Sequence, residues 1–223
     1  MKSKRQPGFF YLGMIVFGAF AQLTRTNILA SENIGGLSLL LRLSFMSDLI
    51  MMVFYLLTAW LLYTCMKPLH KSLSLLFLVF TAVSVAIMSG NMINHIAIVE
   101  IHGAEYFRTD DVQSLTRFLG ALHEYGYLIA QVYFGLWLLP LGLIILKLKI
   151  MPAYFGVMLA AAACGNLIEV FIKFLFPEYF FLAYPGLAVG MIGEFSFCFW
   201  LLFKGLPEFP EKAYSNSDVR GAL

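Results

Sequence analysis

His123 and Glu124 stand side by side in RFLGALHEYGYLIAQVYFGLWLLPLGLIILK (residues 117–147), a stretch that is otherwise almost wholly apolar. An imidazole can carry a proton or ligate a metal, and a carboxylate can pair with a cation or take a zinc ion. Other such groups sit in equally apolar runs. They are Asp48 in LLLRLSFMSDLI, His95 with Asn91 and Asn94 in SGNMINHIAIV, Glu169 with Asn166 in GNLIEVFIK, and Glu194 in VGMIGEFSFCFW. Asp, His and Glu are all zinc ligands, and a catalytic zinc takes three protein ligands plus a water. Asp48, His123 and Glu194 are therefore a candidate metal set, which would suit a metal-dependent hydrolase acting on lipid. The cofactor is zinc or none. The chain has no HExxH and no His-x3-His pair. A haem held by His95 and His123 would need the two rings to face each other at one depth. The same residues, with Arg42, Tyr127, Asn91 and His95, could instead contact a small ligand or ion or relay protons. They could also only bond helices to one another, as in a structural or assembly partner without ligand.

The surroundings of these residues decide what kind of protein must position them. Of 223 residues, 61% are hydrophobic and 13% charged, with 22 Phe. Soluble domains carry about 25% charged residues. Mean hydropathy is +0.82. The net charge of +2 and the lack of a basic cluster with interleaved aromatics give no footing for nucleic acid. The expected solvent is a lipid bilayer. Its core, about 30 Å thick, needs roughly 20 apolar residues per helix. Six segments meet that length, at about 9–29, 40–66, 73–99, 112–147, 152–176 and 180–203. None alternates with the period of a membrane barrel strand. The predicted fold is an all-α integral membrane protein, a six-helix transmembrane bundle forming one domain over 1–204. The tail 205–223 is expected to be short, cytoplasmic and disordered.

The first segment begins MKSKRQPGFF and contains Ala19-Phe20-Ala21, which also fits a cleaved signal peptide. Because it runs on through Gln22, Thr24 and Arg25, we read it as a retained helix. In the fourth segment Asp110, with Gln113 three residues on, is expected to cap the helix start, and Pro140 to kink its far end. Cys65, Cys164 and Cys198 lie in apolar runs without CxxC spacing and read as small buried apolar side chains. Ten basic residues (Lys2, Lys4, Arg5, Lys67, Lys71, Lys147, Lys149, Lys204, Lys212, Arg220) fall on the side of the termini, and five (Arg25, Arg42, Arg108, Arg117, Lys173) on the other. The positive-inside rule then puts both termini in the cytoplasm.

Ionisable groups inside a span each cost about 2.5–3.5 kcal/mol on insertion scales. Counted along the helices, those of spans two to six crowd into the outer half, and Glu194 is the deepest. A water-accessible cavity opening outward would produce that segregation. For Asp48 and Glu194 the nearest plausible cations are Arg25 and Arg42, with His123 as another; Asp48 is expected across from His123, holding its imidazolium. Glu169 is expected to pair with Lys173 one turn along its own helix, and Glu124 to face the headgroups.

Three segments also carry a resemblance: LLLRLSFMSDLI (39–50), HEYGYLIAQVYFGLWLLPLGLIILKLKIMPAYFGVML (123–159) and VGMIGEFSFCFWLLFKG (189–205). Together they resemble the bacterial multi-pass family catalogued as domain of unknown function 4386. The matching positions are Arg42, Asp48, His123, Tyr127, Gly135, Pro152, Gly193, Glu194 and Gly205. The resemblance implies six helices in a bacterial cytoplasmic (inner) membrane. It assigns no activity, but it singles out the same Asp48, His123 and Glu194 that depth does.

Overall fold

The computed structural model describes residues 3–29, 38–103 and 108–207. In chain order the helices are α1 (Gln6–Leu29), α2 (Ser38–Met66), α3 (Lys71–Gly103), α4 (Thr109–Leu136), α5 (Leu138–Leu148), α6 (Ala153–Leu175) and α7 (Tyr184–Phe203), with a 3-10 turn at Pro177–Ala183. α4 and α5 form one interrupted span, so six stretches are long and apolar enough to cross a membrane. The chain is a multi-pass membrane protein whose surroundings are lipid. Large apolar side chains such as Ile93, Phe174, Phe203 and Leu39 are accordingly exposed around its outside. The residues expected to form a disordered tail lie, from 208 onward, outside the described residues. Leu206–Pro207 (β2) pairs antiparallel with Ser3–Lys4 (β1), which joins the two ends of the described chain.

The spans form a closed ring in chain order. Each packs on the next, and α7 returns to α1. Glycines allow the tightest approaches. A Cβ on Gly165 of α6 would stand 3.0 Å from the Gly186 carbonyl oxygen of α7, and one on Gly142 of α5 would stand 2.8 Å from that of Gly156 on α6. In lipid, where apolar burial between helices gains little, this close packing is what holds helices together. Gly205 takes φ 68 after the last turn of α7, and its amide donates back to the Trp200 carbonyl at 3.2 Å. A left-handed residue there ends the helix at little cost only if it lacks a Cβ, which gives a reason for the Lys-Gly at the end of that segment.

Two expectations about the fourth span change. The break lies at Trp137, between α4 and α5, well before the far end. Pro140 lacks the amide that would bond the Leu136 carbonyl, and its ring crowds that carbonyl. At the other end Arg108 is the N-cap and Thr109 begins the helix. Asp110 therefore falls within the first turn, two positions past the N-cap position.

The core toward the end that carries Ser3 and Leu206 is apolar. Leu62, Phe77, Leu138, Ile144, Phe155 and Leu201 are among its fully buried members. The opposite half of the ring is built differently and holds the site.

Candidate functional site

Inside the ring lie two adjacent cavities that share lining residues. An inner chamber of about 220 Å³ is lined by Arg25, Asp48, Tyr127, Gln131 and Glu194, among others. A wider vestibule of about 590 Å³ adds His123, Glu124, Glu169 and Lys173. Gln22, Arg25, Tyr127, Gln131 and Asn166 line both, so the two parts share a wall. Residues come from α1, α2, α4, α6 and α7. Glu194 lies ten residues into α7, about 15 Å at 1.5 Å per residue, near the middle of the bilayer core.

The charges of this cavity are arranged in local pairs. On α1, Gln22 and Arg25 are three residues apart and share one face. The Arg25 guanidinium pairs with Asp48 of α2 and also donates to Gln22. Arg25 and Asp48 are almost fully buried, at 4% and 2% exposure, and burial of this depth requires a partner for each charge. Gln131 of α4 donates to the Glu169 carboxylate of α6. Tyr11 of α1 donates its hydroxyl to Glu194 Oε2 of α7 at 2.9 Å. At the mouth, Lys173 Nζ lies 2.7 Å from Glu124 Oε1. Each bond joins two helices that close the ring, apart from the Arg25–Gln22 bond within α1.

These partners differ from several expectations. Asp48 is held by Arg25, not placed to hold His123. Lys173 reaches across to Glu124, and Glu169 is bonded to Gln131 in place of a pairing along its own helix. Glu124 flanks the vestibule entrance. His123 is 4% exposed, and neither ring nitrogen has a hydrogen-bond partner among the described residues. Its ring meets that of His95 edge to face, with centroids 5.8 Å apart and planes at 88°. That contact turns the face of one imidazole toward the other, whereas a shared haem iron needs the in-plane nitrogens of both. Among the described residues no three His, Cys, Asp or Glu side chains are grouped as a metal site. The expected zinc set Asp48, His123 and Glu194 is thus not assembled. Asp48 and Glu194 line the inner chamber, while His123 lines the vestibule.

The third span contributes no residue to either part. Asn91 donates to the His123 carbonyl at 2.8 Å and accepts from Asn94 at 3.0 Å. His95 Nε2 lies 3.0 Å from the Leu41 carbonyl. Both residues bond α3 to its neighbours. Gly126 of α4 fits this contact, since a Cβ there would collide with the Asn91 amide. Arg42 is exposed and lines neither part. Tyr127 lines both. Cys65 and Cys198 are buried but Cys164 is exposed.

Sequence reasoning undervalued α1, which supplies Tyr11, Gln22 and Arg25. The available signal was the Gln22/Arg25 spacing at the end of an apolar run. Trp137, at the helix break, was also missed as a lining residue.

No solved structure matches this chain. An uncharacterised protein from Archaeoglobus fulgidus is 30% identical over 149 residues, covering 65% of this chain and 72% of that protein. The family described as Domain of unknown function (DUF4386) matches residues 7–205, nearly the whole of the described ring, and the chain belongs to that family.

Proposed function

We propose that this membrane protein binds a small polar solute in the cavity enclosed by α1, α2, α4, α6 and α7. The observation that carries the reading is the shared wall of the two cavity parts, with Arg25 and Gln131 lining both. Charged groups in a span are costly, and those that persist commonly mark a solute or ion path. Here they surround open space, where simple helix bonding would need only contact. His123 lines the vestibule, and its two buried ring nitrogens have no protein partner among the described residues. A lipid hydrolase finds less support, because the proposed zinc ligands are not grouped.

Both termini are cytoplasmic in this reading, which rests on the count of ten basic residues on that side against five on the other. The vestibule then opens to the outside of the cytoplasmic membrane. Single cysteines in a background lacking Cys65, Cys164 and Cys198 test water access and side together. In right-side-out vesicles, Thr26→Cys in the vestibule should react with a membrane-impermeant thiosulfonate reagent. Ile93→Cys, on a side chain 70% exposed on the outer surface of the ring, should not. An unreactive Thr26→Cys removes the water-filled path. Reaction only from the cytoplasmic face reverses the orientation.

A further inference from the structure

We propose that the inner chamber is a site for a small organic monocation, an ammonium ion carrying a few alkyl groups, a ligand class that rests on the binding reading above. The first argument is charge. The chamber is lined by one cation, Arg25, and two carboxylates, Asp48 and Glu194. Asp48 is committed to Arg25. Glu194 has one hydrogen bond among the described residues, from the Tyr11 hydroxyl at 2.9 Å. A carboxylate offers about four acceptor positions, so most of its capacity is unspent. A ligand of charge +1 balances the chamber.

The second argument is the aromatic part of the lining. Tyr55, Tyr127, Phe134 and Trp137 all line the chamber. Their rings are contiguous: Tyr127 to Phe134 at 5.9 Å, Phe134 to Tyr55 at 5.4 Å and Tyr55 to Trp137 at 5.1 Å between centroids. Tyr55 and Trp137 are 1% and 2% exposed, so the half-buried Tyr127 and Phe134 are the more accessible rings and the other two back them. Aromatic faces attract cations, by about 2 kcal/mol or more when water is excluded, and aromatic cages suit alkylated ammonium groups best.

The third argument separates this ligand from a metal ion. Sodium-like or calcium-like cations need many oxygen ligands, six to eight for calcium. Asp48 and Gln22 are already bonded to Arg25, and much of the remaining wall, Met14, Ile15, Met51, Phe134 and Trp137, supplies no oxygen. An alkylammonium ion asks for one counter-charge and apolar contact, and the chamber has both. Its volume of about 220 Å³ falls below the roughly 300 Å³ at which pockets for drug-sized ligands begin. The ligand is therefore a small ion or the headgroup of a larger molecule.

The approach does not oppose this ligand. Arg25 and Lys173 balance Glu124 and Glu169 in the vestibule lining, so no net positive charge stands between the mouth and the chamber.

Trp137 reports on the site. With Trp60→Phe and Trp200→Phe it becomes the single tryptophan, and neither replaced residue lines the chamber. The protein is reconstituted in phosphatidylglycerol vesicles and titrated with tetramethylammonium chloride against sodium chloride at equal ionic strength. The expected result is a saturable change in Trp137 emission. Glu194→Gln should weaken binding at least ten-fold, and Glu194→Asp should recover part of it. The uncharged isostere neopentane-like alcohol 3,3-dimethylbutan-1-ol should compete poorly. Phe134→Leu gives an independent loss if Glu194→Gln fails to fold. Repeating the titration in phosphatidylcholine vesicles distinguishes the source: competition by the lipid identifies a headgroup, and its absence a free ion. No saturable change, equal competition by the neutral alcohol, or full affinity in a folded Glu194→Gln protein overturns the proposal. If Thr26→Cys still reacts in that case, the water-filled cavity stands and only its ligand class falls.

Discussion

Toward the end that carries Ser3 and Leu206, α5 and α6 meet through the backbone-close Gly142 and Gly156, and α5, α6 and α7 interlock through apolar side chains, with Trp137, Phe155 and Phe197 buried among them. Toward the other end the same ring of helices is held through Arg25–Asp48, Gln131–Glu169 and Lys173–Glu124, with open space between. In lipid the first kind of contact depends on dispersion over many close atoms. The second depends on a few directed bonds, and those bonds can bridge a gap that apolar packing would have to fill. A cavity in a membrane bundle is therefore most readily kept open by paired charges, and the apolar half provides the rigid base that keeps those pairs in register.

The comparison breaks most sharply at the buried ion pair. Arg25→Met or Asp48→Leu alone should destabilise the protein by about 3–5 kcal/mol, because each leaves an uncompensated buried charge. The double variant should recover most of that loss, as measured by thermal unfolding in detergent. If the two single effects simply add, the pair is not the coupled unit described here.

A smaller contrast lies between two glycines. Gly142→Val in the apolar half meets the Gly156 carbonyl oxygen at 2.8 Å, against backbone that cannot yield cheaply. It should cost about 1–3 kcal/mol through overpacking. Gly18→Ala lines the chamber, and its Cβ meets only the flexible Met51 side chain, at 3.2 Å from Cγ. Stability should hardly change, while binding of tetramethylammonium weakens because the chamber is narrowed. Equal stability losses at the two positions would erase the distinction between the halves.

The smallest effect belongs to the mouth. Lys173 and Glu124 are 34% and 63% exposed in their side chains, and an ion pair this open contributes about 0–1 kcal/mol. Lys173→Met should leave the unfolding temperature nearly unchanged. It should tighten tetramethylammonium binding by roughly two- to three-fold, since one repelling charge is gone from the approach. A large loss of stability would mean the mouth is structural.

Much of the fold could be read from the residues, but the site only in part. The six spans follow from run length, and the segregation of polar groups into one half follows from counting along them. Asp48 and Glu194 were visible because no basic residue lies within a turn of either. Which partner each takes was not. Arg25 is 23 residues from Asp48, and Tyr11 is 183 from Glu194, separations at which spacing carries no information. Asn91 and His95 looked equivalent to the cavity residues, since an interior-facing polar group and one bonded to a neighbouring helix share the same burial and the same apolar context. The first helix looked ordinary because its charge lies near the end of the span.

The amino-acid sequence by itself determined that this chain crosses a bilayer six times. The hydrocarbon core sets a length that each apolar run satisfies, and the bilayer leaves backbone groups no partner except their own helix. It also signalled an interruption of the fourth span, since Pro140 removes one helix bond wherever the helix is placed, but the position of the break at Trp137 came from the structure. Only the tertiary structure decided which polar face of each helix turns inward. Helical periodicity defines a face but not its azimuth about the helix axis. That rotation is set by contacts between segments, such as Ser44 of α2 on the Ala21 carbonyl of α1 and Asn91 of α3 against Gly126 of α4; α1 lines the cavity wall and α3 does not.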